Sequence, residues 1–260
     1  MFTLKDTKAL VTGGARGLGF AMAVALARAG AEIVFNVRSE ESRRQGLRRF
    51  QEEGIEARGF VCDVTSEADV KQMIERLGEN GGIDVLVNNA GVINRASLTE
   101  MAVDEFRSVI DTDLTGQFIM AKAVLPGMIK RGHGKIINIC GILSEVGRET
   151  AAAYCAAKGG LKMLTKTIAS EYGAYNIQCN GIGPGYIATS LNASLRAPNP
   201  DGSANPFDRF ICANTPAGRW GKPEDLAGPV VFLASKASDF VNGQILYVDG
   251  GFLSYLGRQS

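Results

Sequence analysis

Short apolar runs alternate with longer helical patterns along nearly the whole chain, and this alternation constrains the fold more than any other feature. The runs at 8–12 (KALVT), 32–36 (EIVFN), 84–88 (DVLVN), 135–140 (KIINIC) and 244–248 (QILYV) are almost continuously apolar. Such runs are typical of parallel strands that are buried on both faces. Strand and helix in alternation form βαβ units, so the pattern predicts an α/β Rossmann fold with a doubly wound parallel sheet flanked by helices.

No linker, repeat or change of composition divides the chain, so residues 1–260 are predicted to form a single domain. One segment departs from the pattern. Residues 190–214 (SLNASLRAPNPDGSANPFDRFICAN) are rich in proline, asparagine, serine and glycine. The segment is too long for an ordinary connection in a compact domain, and it is therefore predicted to be a substrate loop, with partial disorder as the alternative.

Charge and cysteine content exclude several classes of partner. The net charge is +1, which gives no electrostatic reason to expect nucleic acid or a membrane surface. The five cysteines are dispersed without metal-ligand spacing, as expected for reduced thiols. The N-terminus lacks the order of a signal peptide, and no segment approaches the ~18 apolar residues of a membrane span. We therefore expect a cytoplasmic protein with a small-molecule substrate and no metal.

A glycine-rich turn follows the first strand. The sequence TGGARGLG leads directly from that strand into a helical pattern. Glycines allow a tight turn and let the backbone approach a pyrophosphate, which then lies at the positive N-terminus of the helix. The context predicts a dinucleotide site, whose residues here are Gly13, Ala15, Arg16, Gly17, Leu18 and Gly19.

The end of the second strand indicates which dinucleotide binds. An NAD site needs an acidic residue there for the ribose 2′-hydroxyl, but residues 35–39 read FNVRS. Arg38 and Arg16 could instead grip a 2′-phosphate. We therefore expect NADP(H) to be preferred, with NAD(H) use left open and with solvent-facing arginines as the alternative. The basic residues at 43, 44, 48 and 49 are interpreted as a solvated helix face, with a supporting role in phosphate binding as the alternative.

Six motifs, in order, resemble those of the short-chain dehydrogenase/reductase family: TGGARGLG (12–19), Asp63 after the third strand, NNAG (88–91), YCAAK (154–158), PGYIAT (184–189) and VDGG (248–251). The resemblance covers essentially the whole chain. It implies a seven-stranded Rossmann sheet and a homotetramer. It also implies further cofactor contacts, which are Asp63, Val64, Asn89, Ala90, Gly91, Tyr154, Lys158, Pro184, Gly185, Ile187 and Thr189.

Tyr154 and Lys158 are the candidate chemical pair. Reduction of a ketone requires a proton donor at the carbonyl oxygen as hydride reaches the carbon. A free phenol has a pKa of about 10, and a residue four positions along a helix lies on the same face. The Lys158 ammonium is therefore expected to favour the phenolate form of Tyr154. The alternative to a catalytic role is that Tyr154 and Lys158 are a chance pair on a helix surface.

Two positions depart from the family pattern. Gly141 stands where the family has a serine that hydrogen-bonds the substrate oxygen, and loss of one such donor costs about 10²–10³ in rate. Ser144 or a water molecule could take its place. Asp113 stands where the family generally has an asparagine that organises a proton-relay water. An aspartate can still accept from water, so Gly141 is the departure that puts activity in doubt.

The chain is similar to the gluconate 5-dehydrogenase branch of the family in SEVGRETAAAYCAAK and TPAGRWGKPEDLAG, among other segments. This resemblance implies interconversion of 5-keto-D-gluconate and D-gluconate. A sugar acid needs a cation for its carboxylate and hydrogen-bonding groups for its hydroxyls. Arg95, Ser144 and Arg148 are the candidates, with an oligomer contact as the alternative role of Arg148.

Two other functions remain open on the sequence. One is reduction of a different ketone, such as another sugar acid or a 3-oxoacyl thioester. The other is a catalytically silent protein that only binds a dinucleotide. The intact Tyr154 and Lys158 argue against the silent protein, since a protein without catalysis has no chemical need for both.

Overall fold

Parallel strands form at the apolar runs, and all seven strands of the described part of the chain belong to one sheet. The computed structural model describes residues 1–78, 82–200 and 202–257. In chain order, the strands are β1 (Lys8–Thr12), β2 (Glu32–Val37), β3 (Ala57–Val61), β4 (Val85–Asn88), β5 (Gly134–Ile139), β6 (Ile177–Pro184) and β7 (Ile245–Val248). Their order across the sheet is β3-β2-β1-β4-β5-β6-β7, and neighbouring strands are parallel. The predicted doubly wound sheet is confirmed.

Helices cover both faces of the sheet. In chain order, they are α1 (Gly17–Arg28), α2 (Glu40–Glu52), α3 (Glu67–Gly78), α4 (Val103–Ile110), α5 (Gly116–Arg131), α6 (Ala152–Tyr172), α7 (Pro206–Asn214) and α8 (Ala227–Ala234). A π-helical turn at Asp111–Thr115 joins α4 to α5 without a break. Among the described residues, we find no helix long and apolar enough to cross a membrane.

The alternation of side chains along β1 shows how the sheet divides the core. Ala9 and Val11 point to one side, where they pack with α1, α2 and α8. Leu10 points to the other side, into the core formed with α3, α5 and α6. Because successive strand residues face opposite sides, only a strand buried on both faces needs every residue apolar. This explains the continuous apolar runs in the sequence.

Segment 190–214 is more ordered than its composition predicts. It contains a 3-10 turn at Ser190–Leu195 and the helix α7. Asn205 caps α7 by accepting a hydrogen bond from the Phe207 N–H at 2.9 Å, and Pro206 occupies the first turn. This Asn-Pro pair is a helix-start signal that reasoning from composition alone missed. Asp201 lies outside the described residues.

The strand order also locates the cleft. The chain passes from β1 to β2 on one side, whereas β4 pairs with β1 on the other side. Ligands of doubly wound sheets bind in the crevice outside the carboxyl ends of the strands at such a reversal. The residues that follow β1, β4, β5 and β6 therefore meet at one edge of the sheet.

Candidate active site

The glycine turn between β1 and α1 has the geometry of a phosphate cradle. Gly13 and Gly17 have φ values of +64° and +57°, which favour glycine. A side chain at Gly19 would bring its Cβ within 2.6 Å of the Gly13 carbonyl oxygen. The first turn of α1 carries no acidic residue and no side-chain cap, so its N–H groups are open to an anion. The turn therefore fits a pyrophosphate.

Two of the predicted cofactor residues brace this turn from behind. The Thr12 Oγ1 accepts hydrogen bonds from the Asn89 N–H at 2.8 Å and the Ala90 N–H at 2.9 Å. The Asn89 side-chain amide in turn donates to the Thr12 carbonyl oxygen at 2.8 Å. Thr12, which the sequence analysis did not single out, thus couples the ends of β1 and β4. Its position as a buried hydroxyl at a strand end was the available signal.

Arg16 and Arg38 lie exposed beside the turn. The Gly13 N–H donates to the Asn36 carbonyl oxygen at 3.0 Å, which brings the end of β2 next to the turn. Within the described parts of the chain, neither Arg16 nor Arg38 has an ion pair or a hydrogen bond from its side chain. The Asn36 side chain turns inward and donates to the Cys62 carbonyl oxygen at 2.9 Å, so it is not directed at a ribose.

The helix-face arginines have different surroundings. Arg43 and Arg44 of α2 both bind the Glu40 carboxylate, at 2.7 Å and 3.1 Å. Their charges are therefore compensated locally, as expected of a solvated helix face, whereas the Arg49 guanidinium of the same run donates to the Ala15 carbonyl oxygen of the glycine turn at 3.3 Å. The two arginines at the glycine turn lack such a partner among the described residues.

Among the remaining predicted cofactor residues, some lie at the cleft and others are buried in the core. The Asp63 carboxylate accepts hydrogen bonds from the Thr65 N–H and hydroxyl at 2.9 Å and 2.8 Å. Val64 is buried in the core against Gly116, so its side chain does not face the cleft. Ala15 is buried and Leu18 packs against the core. These two residues offer a ligand their backbone alone.

The end of β6 forms the opposite wall of the cleft. The Gly185 N–H donates to the Val248 carbonyl oxygen at 3.0 Å, and a Cβ at Gly185 would lie 2.7 Å from the Asp249 Cα. The Thr189 N–H donates to the Asn192 side chain at 2.9 Å. Pro184 is the last residue of β6, and Gly185, Ile187 and Thr189 follow it at the carboxyl end of the strand.

Tyr154, Lys158 and Asp113 form one cluster at the carboxyl end of the sheet. The Lys158 Nζ lies 5.3 Å from the centroid of the Tyr154 ring. It donates to the Ile139 carbonyl oxygen at 2.9 Å and lies 3.2 Å from the Asp113 Oδ2. Lys158 and Asp113 are only 3% and 0% exposed. The structure thus brings together three residues that are up to 45 positions apart in the chain (113 to 158).

Burial and charge act against each other on these groups. Burial raises the pKa of the Tyr154 phenol, and the Lys158 ammonium offsets part of the rise. Lys158 lowers the pKa of Tyr154 as the sequence predicts, but in the protein alone burial raises that pKa by more. Burial also lowers the pKa of Lys158, yet the neighbouring Tyr154 and Asp113 outweigh it and raise that pKa overall. Lys158 is therefore held as an ammonium.

Asp113 occupies the π-helical turn, a feature that is frequent at functional sites. Its Oδ1 accepts a hydrogen bond from the Val92 N–H at 2.7 Å. A side chain at Gly91 would place its Cβ 2.7 Å from the Asp113 Oδ2, so glycine is required there for the carboxylate to fit. Burial raises the pKa of Asp113, while Lys158 and the Val92 N–H lower it.

We expect the Asp113→Asn variant to shift the pH profile of alcohol oxidation toward lower pH. After burial, the Asp113 carboxylate is a further cause that raises the pKa of Tyr154. Asparagine keeps an oxygen for Val92 but removes the charge, so the phenol should ionise at lower pH. The kcat/KM profile for oxidation, measured beside an Asp111→Asn control on the exposed side of the same turn, checks this. An unchanged or raised apparent pKa would contradict it.

Gly141 borders the cleft immediately after β5. Its φ and ψ are 77° and 166°, in a region that is essentially restricted to glycine. Among the described residues, and apart from its own chain neighbours, a Cβ built there has only two heavy atoms within 4 Å, the Pro184 carbonyl oxygen at 3.8 Å and the Tyr154 Oη at 3.9 Å. The position is thus next to the phenol, as the family resemblance implies, and space for a side chain is open.

Ser144 is engaged elsewhere. Its hydroxyl donates to the Gly141 carbonyl oxygen at 2.7 Å and lies 3.1 Å from the Tyr247 Oη. Tyr247 donates to the Glu145 carboxylate at 2.6 Å, and Lys162 binds the same carboxylate oxygen. In this conformation the Ser144 proton is not available to a substrate oxygen.

Arg95 and Arg148 lie close enough to influence each other, and Arg95 also interacts with Tyr154 and Tyr186. Burial lowers the pKa of the Arg95 guanidinium, and the positive charge of Arg148 lowers it further. The Arg148 guanidinium lies 4.7 Å from the centroid of the Phe207 ring and donates to the Tyr186 Oη at 3.2 Å. Arg148 therefore links the catalytic wall to α7, and the two cations share one side of the cleft.

Comparison with known proteins agrees with this geometry. Residues 13–253 match a family model described as enoyl-(acyl carrier protein) reductase. A 2-dehydro-3-deoxy-D-gluconate 5-dehydrogenase of Formosa agariphila is 50% identical to the chain over 262 residues, which span 100% of this chain and 97% of the relative.

Two crystal structures are similar over almost the whole chain. A 2-keto-3-deoxy-D-gluconate dehydrogenase from Streptococcus agalactiae is 59% identical with a TM-score of 0.86, covering 99% of this chain and 97% of its own. A gluconate 5-dehydrogenase from Burkholderia cenocepacia, in complex with NADP and tartrate, is 46% identical with a TM-score of 0.91 and covers 98% of both chains. The chain belongs to the short-chain dehydrogenase/reductase family of oxidoreductases.

Proposed function

We propose that the chain is an NADP(H)-dependent oxidoreductase that interconverts a ketone and a secondary alcohol on a sugar acid, with 5-keto-D-gluconate and D-gluconate as the first candidate pair. The observation that carries the proposal is the cluster of Tyr154 with the buried Lys158 and Asp113, at the same carboxyl edge of the sheet as the glycine turn. NADPH oxidation with 5-keto-D-gluconate tests it. The gluconate 5-dehydrogenase of Burkholderia cenocepacia supports the same substrate class.

The preference for NADP(H) rests on the charge balance at the edge of the turn. Arg16 and Arg38 are exposed and lack a charged partner among the described residues. A 2′-phosphate would supply that partner through charge-assisted hydrogen bonds. The NADP in the complex from Burkholderia cenocepacia accords with this assignment. NAD(H) is the weaker candidate.

The residues of the cluster divide the work of the reaction. NADPH, when bound, supplies the hydride that reaches the carbonyl carbon. Tyr154 donates its phenolic proton to the carbonyl oxygen, and in the reverse direction the phenolate accepts it. The Lys158 ammonium stabilises that phenolate. Asp113 keeps Lys158 charged and in place through the 3.2 Å contact, so Asp113 is a positioning residue.

Arg95 and Arg148 are assigned to the substrate carboxylate. Arg95 interacts with Tyr154 and Tyr186, and the positive charge of Arg148 adds to burial in lowering the pKa of the Arg95 guanidinium. A carboxylate between them would remove this repulsion. Arg148 already packs on Phe207, so binding would also hold α7 against the cleft.

The Arg95→Met variant is expected to raise KM for 5-keto-D-gluconate about 10- to 100-fold, because a hydrogen bond to a charged group contributes about 1.5–3 kcal/mol. The KM for NADPH should stay unchanged. Arg107→Met is the matched control, since Arg107 is exposed on α4 and paired with Asp104. Steady-state kinetics at saturating NADPH give both constants. An equal rise in the two variants would remove Arg95 from the substrate site.

A second candidate substrate is 2-keto-3-deoxy-D-gluconate. The relatives from Formosa agariphila and Streptococcus agalactiae, at 50% and 59% identity, carry that name. It is also a sugar acid, so the same two cations would serve. Oxidation of this compound with NADP⁺, measured beside D-gluconate, ranks the two by kcat/KM.

We expect the chain to assemble as a homotetramer in the cytoplasm. Exposed apolar side chains on the adjoining helices α4, α5 and α6 support an assembly: Val103, Phe118 and Met163 are 63%, 48% and 58% exposed. All five cysteines are free thiols, in keeping with a reducing compartment. Sedimentation velocity should show the tetramer, and a monomer at micromolar concentration would contradict it.

A further inference from the structure

We propose that a substrate hydroxyl, on a carbon next to the ketone, donates a hydrogen bond to the carbonyl oxygen. It would replace the hydrogen bond that a serine at position 141 gives in other members of the family. The inference rests on the proposed function and narrows it to α-hydroxy ketones. Gly141 is then a residue that determines substrate specificity. The resemblance to the family alone would treat it only as the loss of a hydrogen-bond donor.

The first support is the space that the glycine leaves. The Gly141 Cα borders the phenol, and the nearest atoms to a built Cβ are the Pro184 oxygen at 3.8 Å and the Tyr154 Oη at 3.9 Å. These are ordinary contact distances, and in the described part of the chain nothing other than the adjoining residues lies closer. A carbonyl oxygen that accepts the proton of Tyr154 lies next to this space. A substituent on the neighbouring carbon can therefore enter it.

The second support is that the nearby side chains are committed elsewhere. A serine hydroxyl has one proton, and Ser144 donates it to the Gly141 carbonyl oxygen at 2.7 Å. Its oxygen also lies 3.1 Å from the Tyr247 Oη. Cys140 is fully buried, and a thiol is a weak donor. Besides Tyr154, these neighbours leave the developing oxyanion without a hydroxyl donor.

The chemistry of an α-hydroxy ketone meets this need. Its hydroxyl is held on the adjacent carbon, so it reaches the carbonyl oxygen without any conformational search by the protein. It donates a hydrogen bond and keeps its proton; the transferred proton comes from Tyr154 and the new C–H bond from NADPH. In 5-keto-D-gluconate, the carbons on both sides of the ketone carry hydroxyls. A plain ketone has no such group.

The test compares deoxy analogues of 5-keto-D-gluconate. Removal of the hydroxyl at C4 or at C6, whichever faces Gly141, is expected to lower kcat about 10²–10³-fold, the usual effect of losing one oxyanion donor. The 3-deoxy analogue is the matched control, because C3 is not adjacent to the ketone. Its kcat should change less than about tenfold, as for an uncharged hydrogen bond. Equal kcat values for the parent, 4-deoxy and 6-deoxy compounds would overturn the inference and favour a water at this position.

The Gly141→Ser and Gly141→Ala variants provide an independent arm. Both place a side chain at φ +77° and so carry the same backbone strain, but only serine adds a donor. Serine should reduce the penalty of the sensitive deoxy analogue more than tenfold relative to alanine. An equal penalty in both variants would contradict the inference. If either variant fails to fold, the wild-type analogue series decides alone.

A failure of the proposed function gives a different result from a failure of this inference. In that case the wild-type protein does not turn over 5-keto-D-gluconate itself. Turnover of 3-hydroxy-2-butanone is then compared with turnover of 2-butanone, since neither compound is a sugar acid and only the first has a hydroxyl next to the ketone. A preference for the hydroxy ketone would support the inference without the sugar acid, and turnover of neither compound would overturn both proposals.

Discussion

Replacing Tyr154 by phenylalanine should lower kcat for 5-keto-D-gluconate about 10²–10⁴-fold, the range that positioned acids contribute. The ring and its packing against Ala153 and Ala157 remain. Within the described residues nothing hydrogen-bonds the Tyr154 Oη, so the change removes no native bond and should leave the melting temperature unaltered. Affinity for NADPH should fall less than about tenfold, since Tyr154 is only one of the predicted cofactor contacts and an uncharged hydrogen bond is lost. Steady-state kinetics and thermal unfolding of the same preparation measure these quantities.

Tyr175→Phe is the matched control for this variant. Tyr175 follows the far end of α6 and is 48% exposed, so its phenol is remote from the cleft. Its kcat should equal that of the wild type. If Tyr154→Phe retained kcat within tenfold of the wild type, another group would have to protonate the substrate, and the assigned role of Tyr154 would be wrong.

The Arg16→Ala/Arg38→Ala double variant should raise KM for NADPH about 10²–10⁴-fold, since two charge-assisted hydrogen bonds to a phosphate are lost at about 1.5–3 kcal/mol each. The KM for NADH should change little, because NADH has no 2′-phosphate. Both side chains are exposed, so their removal should not affect folding. Initial rates with each coenzyme at saturating substrate give the two constants.

Arg43→Ala/Arg44→Ala controls for the change in net charge. This pair also removes two arginines near the cofactor edge, but Glu40 already neutralises them. Its KM for NADPH should rise no more than a few-fold, as expected of solvated charges. If both double variants raised KM equally, the preference would reflect general charge and not a specific phosphate site.

The sheet and the glycine turn were predictable because their signals are local. A strand buried on both faces needs every residue apolar, and the turn needs glycines at φ values that other residues avoid. Tyr154 and Lys158 were found for the same reason, since helical spacing places them on one face. Each of these inferences uses residues within one element.

Contacts between elements that are distant in the chain could not be predicted from the sequence. Lys158 meets Asp113 because a π-helical turn carries that carboxylate toward α6, and no local pattern announces the turn. Arg148 stacks on Phe207, in a segment whose composition predicts irregular structure. Ser144, expected near the substrate oxygen, donates instead to Gly141. Side-chain direction depends on the packed neighbours, which a single sequence does not reveal.

The most direct measurement is NADPH oxidation by the wild-type protein with 5-keto-D-gluconate, run beside Tyr154→Phe. We expect turnover by the wild type and a loss of about 10²–10⁴ in the variant, which would show that the site works without a serine at Gly141. Tight binding of NADPH without turnover of this substrate or any other sugar-acid ketone would contradict the account and indicate a protein that only binds its dinucleotide.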